Sequence, residues 1–545
     1  HIYIYIKNTE RNMDNKLDPE LYIDINNEDG TEEVVLFVKY VGDIDDMVPG
    51  ICNRLIKLLN NYAVMYIYRD RVMECSGDSR IIYMEANRPV QLGSRSESRT
   101  YISRRPAYYG AALRGEGVKV AFIDSGIDYG HEQFLTDGVT RVEVLWDQSA
   151  IYDQNRINEY GIGAVYELDE LQTSLDNYEY LSRDRSGHGT EVAGICCGNT
   201  TGRLNRAGIW AVKLNTRNGE SNIIDLIMGI DFCMRRALEE RVPLVINLSY
   251  GNNYGAHNGK SMAEEYIDSV SGLTTVTIIG GSGNYALSEL HTSGDVGMSE
   301  DEFIDIAVYN YSRSFNVSIW YNPVDIFDVG VMSPGGSIVM NMTEYQRSTR
   351  AYYGDTVIDG IMFEPTPVNT LKEIYIGFNS NTYIYEGVWR IVLIPRQAVA
   401  GSYNAYLPVN SDVRFSYPVT ASTLTIPGTG NRIITVGAYD STLMDIAGFS
   451  GRGYTTDNRV KPDIAAPGVD IYTTYPGNRY VYASGTSMAV PYVSGIAGSL
   501  MEWGIVNNND RFMYGEKVKA ALTKMAEQLD IFKNYPNIYV GYGVL

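Results

Sequence analysis

The stretch "GVKVAFIDSGID" (Gly117–Asp128) decides the fold. Its apolar run, broken only by Lys119, ends in Asp124-Ser125-Gly126. A near-continuous apolar run, rather than an alternating one, predicts a strand covered on both faces, as in a parallel sheet. Downstream, "GHGTEVAGICCG" reads as a loop entering a helix, and "SNIIDLIMGIDFCMRRALEE" as a strongly amphipathic helix. "VPLVINLSYG" and "LTTVTIIGGSGN" read as buried strands, with the helical pattern "KSMAEEYIDSVSG" between them. Far along the chain, "NRIITVGAYD" returns to a strand and "GTSMAVPYVSGIAGSLMEWG" to a helix. Strand and helix in alternation predict an α/β fold with a parallel sheet and crossover helices.

Two regions do not share this pattern. In front, strands are expected at "EVVLFVKYVGD", "AVMYIYR" and "RIIYMEANRPVQL", with a helix over "VPGICNRLIKLLNNY" (Val48–Tyr62). A polar stretch, "GSRSESRTYISRRP", follows as a linker. From Asp301 to about Thr420, short strand-like pieces such as "FNVSIWYN" and "GVWRIVLIP" alternate with turns and no long helix appears. That pattern predicts an antiparallel sandwich or jelly roll inserted into the α/β sheet. The expected domains are 1–92, 93–289, 290–422 and 423–545.

Composition narrows the function. The 545 residues carry 45 basic and 66 acidic side chains, a net charge of −21. Nucleic acid is excluded as an expected partner, because a phosphate backbone calls for a basic surface. Five cysteines without a CxxC pair predict neither a disulfide framework nor a zinc site. No apolar stretch is long enough to predict a membrane span. "HIYIYIKNTER" lacks the basic start of a signal peptide, so none is visible. The chain begins with His1, which leaves a removed signal open.

Three residues read weakly alone and strongly together. Asp124 falls at a strand's C-terminal end, where open parallel sheets place their sites. His188 stands between glycines in "SGHGT". Ser487 stands in "SGTSMAVPYV", where the glycines, a proline expected in the first helical turn and an apolar stripe already account for a packed helix. A serine needs a base to become a nucleophile, and the base is held by a buried carboxylate. The order Asp…His…Ser is that of subtilisin.

"FIDSGID", "SGHGTEVAGI" and "SGTSMAVPYVSG" resemble the three signature blocks of the subtilisin-like serine proteases. The resemblance covers most of 93–284 and 423–545. It implies a subtilisin-like parallel sheet with flanking helices, serine endopeptidase activity, and Asp124, His188 and Ser487 as the triad. It implies that Asn284, closing "IIGGSGN", donates its amide to the oxyanion, with the backbone N–H of Ser487 as second donor. Ser249, Tyr250 and Gly251 would pair with an extended peptide substrate, and Gly281, Ser282 and Gly283 would wall a pocket. One departure is Glu191, which stands where the family often has a second histidine.

The front resembles the family's propeptide, a small α/β inhibitor whose end occupies the cleft. Self-cleavage is expected at Gln91–Leu92 or Leu92–Gly93, with the propeptide as a retained partner. An insertion between the Asn and Ser blocks, with an attached propeptide, is similar to the Csp germination proteases of clostridial spores. That implies activation of a precursor by limited proteolysis, in a spore or in an extracellular or cell-associated place. A secreted subtilase of other purpose is the alternative within the class. Two other classes stay open: a pseudoprotease acting in binding or signalling, and a carbohydrate- or protein-binding role for the insertion. No metal or other cofactor is required by serine chemistry. Structural calcium at acidic loops such as "INNEDGTEE" is left open, without a calcium-loop motif.

Overall fold

The computed structural model describes residues 4–8, 15–27, 30–92, 113–151, 158–216, 220–309 and 311–545. The chain forms two compact units. One comprises 88–252, 263–286 and 424–545; the other comprises 1–87, 253–262 and 287–423.

The first of these is built on a nine-stranded sheet. Lys119–Asp124 lies inside it, parallel to Gly208–Lys213 on one side and to Leu244–Leu248 on the other. Val276–Gly281, Ile434–Asp440 and Ile464–Pro467 continue the sheet in parallel. Val120 to Asp124 are buried, as the uninterrupted apolar run requires. The helices His188–Cys197 and Thr486–Met501 pack against each other. Both are apolar on nearly every face because both lie within the core. Cys196 and Cys197 are buried there as free thiols. Helix Ile223–Glu240 starts where the Asn222 side chain accepts from the Asp225 N–H.

The second unit holds a four-stranded antiparallel sheet, ordered Arg54–Lys57, Tyr62–Tyr68, Glu33–Tyr40 and Ile81–Ala86. The helix expected over 48–62 is not formed. Arg54–Lys57 is a strand, and Asn60 and Asn61, both at positive φ, turn the chain back into Tyr62–Tyr68. Asparagine tolerates that left-handed backbone, which a right-handed helix cannot contain. The longer helix of the front is Pro19–Asn27 instead.

The insertion forms a sandwich of a five-stranded antiparallel sheet and a larger one, to which it gives six of seven strands. The N-terminal strand Ile4–Asn8 pairs with Ser348–Tyr353 at the edge of the larger sheet, a pairing that local sequence did not reveal. Leu17, Leu21, Tyr22 and Met84 share one core with Ile361, Phe363 and Tyr375 of that sheet. Tyr22 meets Phe363 edge-on at 6.0 Å. Trp389 is fully buried against Tyr353 and Phe378, so it belongs to the core and not to a binding face.

Candidate active site

Asp124 ends its strand with its carboxylate inside the protein, 1% exposed. Oδ1 accepts from the Ser125 N–H at 2.7 Å and pairs with His188 Nδ1 at 2.8 Å. That fixes the imidazole tautomer and leaves Nε2 as the working nitrogen. Nε2 is buried and has no hydrogen-bond partner among the described residues. Burial opposes charging of the ring, but the charge and hydrogen bond of Asp124, with Glu191 and Asp184 nearby, outweigh it. The imidazole pKa is raised.

His188 is the first residue of its helix because Gly187 precedes it at φ 87°, a backbone that a side chain rarely accepts. Asp184 then clamps this start. Its Oδ1 accepts from Ser125 Oγ at 2.9 Å and the Gly187 N–H at 2.8 Å. Its Oδ2 accepts from the Thr190 N–H at 2.9 Å and Thr190 Oγ1 at 2.7 Å. One carboxylate thus joins the Asp124 strand end to the His188 helix. Sequence reasoning did not single it out; four residues before His188, in "DRSGHGT", it had the look of a loop residue. Glu191 is buried one turn on, and burial pushes its carboxyl up to about 7.

Ser487 is the second residue of the helix Thr486–Met501. The backbone N–H of Thr486 donates to Asn284 Oδ1 at 2.9 Å. The amide oxygen of Asn284 is thereby committed, and Nδ2 is its donor end. Pro491 differs from expectation. Because the helix begins at Thr486, the proline falls in the second turn and not the first. It removes the N–H that would have answered the Ser487 carbonyl four residues earlier.

Ser487 lines a cleft together with Ser249, Tyr250, Gly251, Gly281 and Gly283. Ser282, expected beside them, is not a lining residue: its hydroxyl is buried 3.3 Å from that of Ser450. Gly251 is required by a close approach, since a Cβ there would come within 2.6 Å of Thr425 Oγ1. Gln91, Tyr285, Thr425 and Thr486 complete the wall, and Tyr285 and Thr425 carried no sequence signal.

A strand of the chain itself occupies this cleft. Pro89–Leu92 runs antiparallel between Glu220–Asn222 and Tyr250–Gly251, with Gln91 opposite Gly251 and Leu92 opposite Tyr250. Asn252 Nδ2 reaches Pro89 O at 3.2 Å, and Val90 is fully buried. Gln91 and Leu92 are half-buried. Gly93, the third residue expected at the self-cleavage site, lies outside the described residues.

The chain has an aspartate-held histidine, a helix-mounted serine and a backbone-paired strand, and comparison decides the family. A model of the Subtilase family matches residues 115–354 and 410–543. The chain belongs to the subtilase family of serine peptidases. The solved structure of the Clostridium perfringens CspB protease is similar to this subtilase at 32% identity and a TM-score of 0.73, covering 80% of this chain and 93% of that one. The C5a peptidase of Streptococcus pyogenes is 25% identical over 433 residues, 72% of this chain and 36% of its own. Subtilisin-like protease 3 of Trichophyton equinum is 25% identical over 207 residues, 38% of this chain and 42% of its own. The chain therefore spans less than half the length of either of these relatives.

Among the described residues, no three His, Cys, Asp or Glu gather as metal ligands would. Residues 28–29 of the acidic loop "INNEDGTEE" lie outside the described residues. No described helix is long and apolar enough to cross a membrane.

Proposed function

We propose that the chain is an active serine endopeptidase that cuts itself at Gln91–Leu92 or Leu92–Gly93 and keeps its front in place afterwards. The observation that carries this reading is the strand Pro89–Leu92, seated in the cleft that Ser487 lines. Ser487 Oγ attacks the carbonyl as His188 Nε2 takes its proton. Asp124 stabilises the imidazolium that forms. The negative oxygen of the tetrahedral intermediate meets Asn284 Nδ2 and the Ser487 N–H. His188 then returns the proton to the leaving amine, and water releases the acyl group by the same steps. Every proton has a carrier among these side chains, so no step is routed through a metal. Calcium would enter only as a structural ion.

The likeness to CspB supports limited proteolysis of a precursor protein in spore germination as the setting. The second reading is a binding module on the same fold, favoured by one observation: the chain's own strand pairs with Tyr250–Gly251 and puts Gln91 on the wall of the cleft. Intact mass and fluorophosphonate labelling separate the two. The wild-type chain should break near Leu92 and take the label, and Ser487→Ala should do neither. A Ser487→Ala chain that still breaks overturns self-cleavage, and an unlabelled wild type supports the binding module.

A further inference from the structure

Gln91 is held by more than its backbone. Its Nε2 donates to Glu220 Oε1 at 2.8 Å, and its Oε1 accepts from the Tyr285 hydroxyl at 3.2 Å. The two ends of the amide meet complementary groups. A carboxylate only accepts, so it must face the NH₂ end, while the phenol can donate to the carbonyl end. Glutamate, the isostere of glutamine, would set a second carboxylate against Glu220. Leucine would fill the same space and make neither of these two hydrogen bonds.

We propose that Glu220 and Tyr285 form a subsite that selects glutamine at the substrate position opposite Gly251. This rests on reading the cleft as a peptide-binding cleft. The register fixes the position, because Gln91 pairs with Gly251 on one side and with Glu220 on the other. The chain's own Gln91 is the first ligand of the subsite, and protein substrates with glutamine at that position are its further ones. Selection works by rejection as much as by attraction, since a substrate glutamate is repelled by Glu220.

The test is a swap made in the full chain. Gln91→Glu should loosen the strand, and Gln91→Glu combined with Glu220→Gln should restore it with donor and acceptor exchanged. Amide exchange across residues 89–92, measured by mass spectrometry in the Ser487→Ala chain, reads the subsite without any catalysis. We expect roughly tenfold faster exchange in the single variant, and recovery to within about threefold of the parent in the double variant. In the Ser487 chain, self-cleavage should slow and recover in the same order. A swap that restores neither protection nor rate overturns the subsite, as does a Gln91→Glu chain that behaves like its parent. If exchange follows the swap but no chain cuts itself, the subsite stands and the protease reading falls.

Discussion

His188 Nδ1 and Asp124 Oδ1 lie 2.8 Å apart in a site from which both side chains are almost wholly withdrawn from water. The aspartate therefore chooses the tautomer. Asp124→Asn offers an amide of the same shape but allows the wrong tautomer. The expected result is a kcat lower by about 10⁴-fold with the fold intact. Stopped self-cleavage with an unchanged circular dichroism spectrum checks it.

Glu191 contributes, after Asp124, to the acid side of the pH profile. His188 must be neutral to act as base, and its raised pKa places the acid limb above the ordinary histidine value of 6.5. Glu191 is one of the charges that raise it. Glu191→Gln should move that limb to lower pH. Stability should respond too. The folded protein holds the Glu191 proton up to about 7, while the unfolded chain releases it near 4.5. In that window the folded state binds more protons, so stability falls as pH rises. Glu191→Gln removes the loss. It should stabilise the protein by about 1–3 kcal/mol near pH 8 and by almost nothing at about pH 4.5. Urea unfolding at the two pH values reads the difference.

Asp184→Asn tests the clamp. Asp184 accepts four hydrogen bonds, and an amide must turn its NH₂ toward one pair of donors. Loss of about 1–3 kcal/mol of stability is expected. Activity should fall through kcat, with KM nearly unchanged, because the histidine and not the substrate strand is displaced. A change confined to KM would contradict this.

In the proposed mechanism the Asn284 donor serves the oxyanion and not the bound peptide, so Asn284→Ala should lower kcat by about 10²–10³-fold and leave KM nearly unchanged. Synthetic peptides with glutamine at the position opposite Gly251 are suitable substrates. An equal fall with Asn284→Asp, which has no donor, would point to the amide N–H itself.

The α/β sheet was legible because its signals are local. A continuous apolar strand ending at Asp124 and a helix opening at His188 each write their structure into about ten adjacent residues. The Asp124–His188 pair was legible for the same reason, each member lying inside a short block. What escaped depends on distant partners. Leu55 and Ile56 fit helical spacing, and only pairing with Met65 and Val64 makes them a strand. Tyr285 and Glu220 gain meaning only from Gln91, which reaches both. Ile4–Asn8 finds its sheet more than 300 residues away, at Ser348–Tyr353.

That last pairing carries the prediction about what happens after the cut. Leu17, Leu21 and Tyr22 bury against Ile361, Phe363 and Tyr375, and each such side chain contributes about 1.5–3 kcal/mol when fully buried. Cleavage near Leu92 breaks one backbone bond and none of these contacts. The two fragments should therefore co-elute on size exclusion in native buffer and separate only in denaturant. Phe363→Ala opens a cavity under Tyr22 and removes about 3–5 kcal/mol from that core. The cut Phe363→Ala chain should shed its front fragment on dilution while the wild type keeps it. A wild-type front that dissociates as readily as the variant's would show that this core does not hold it.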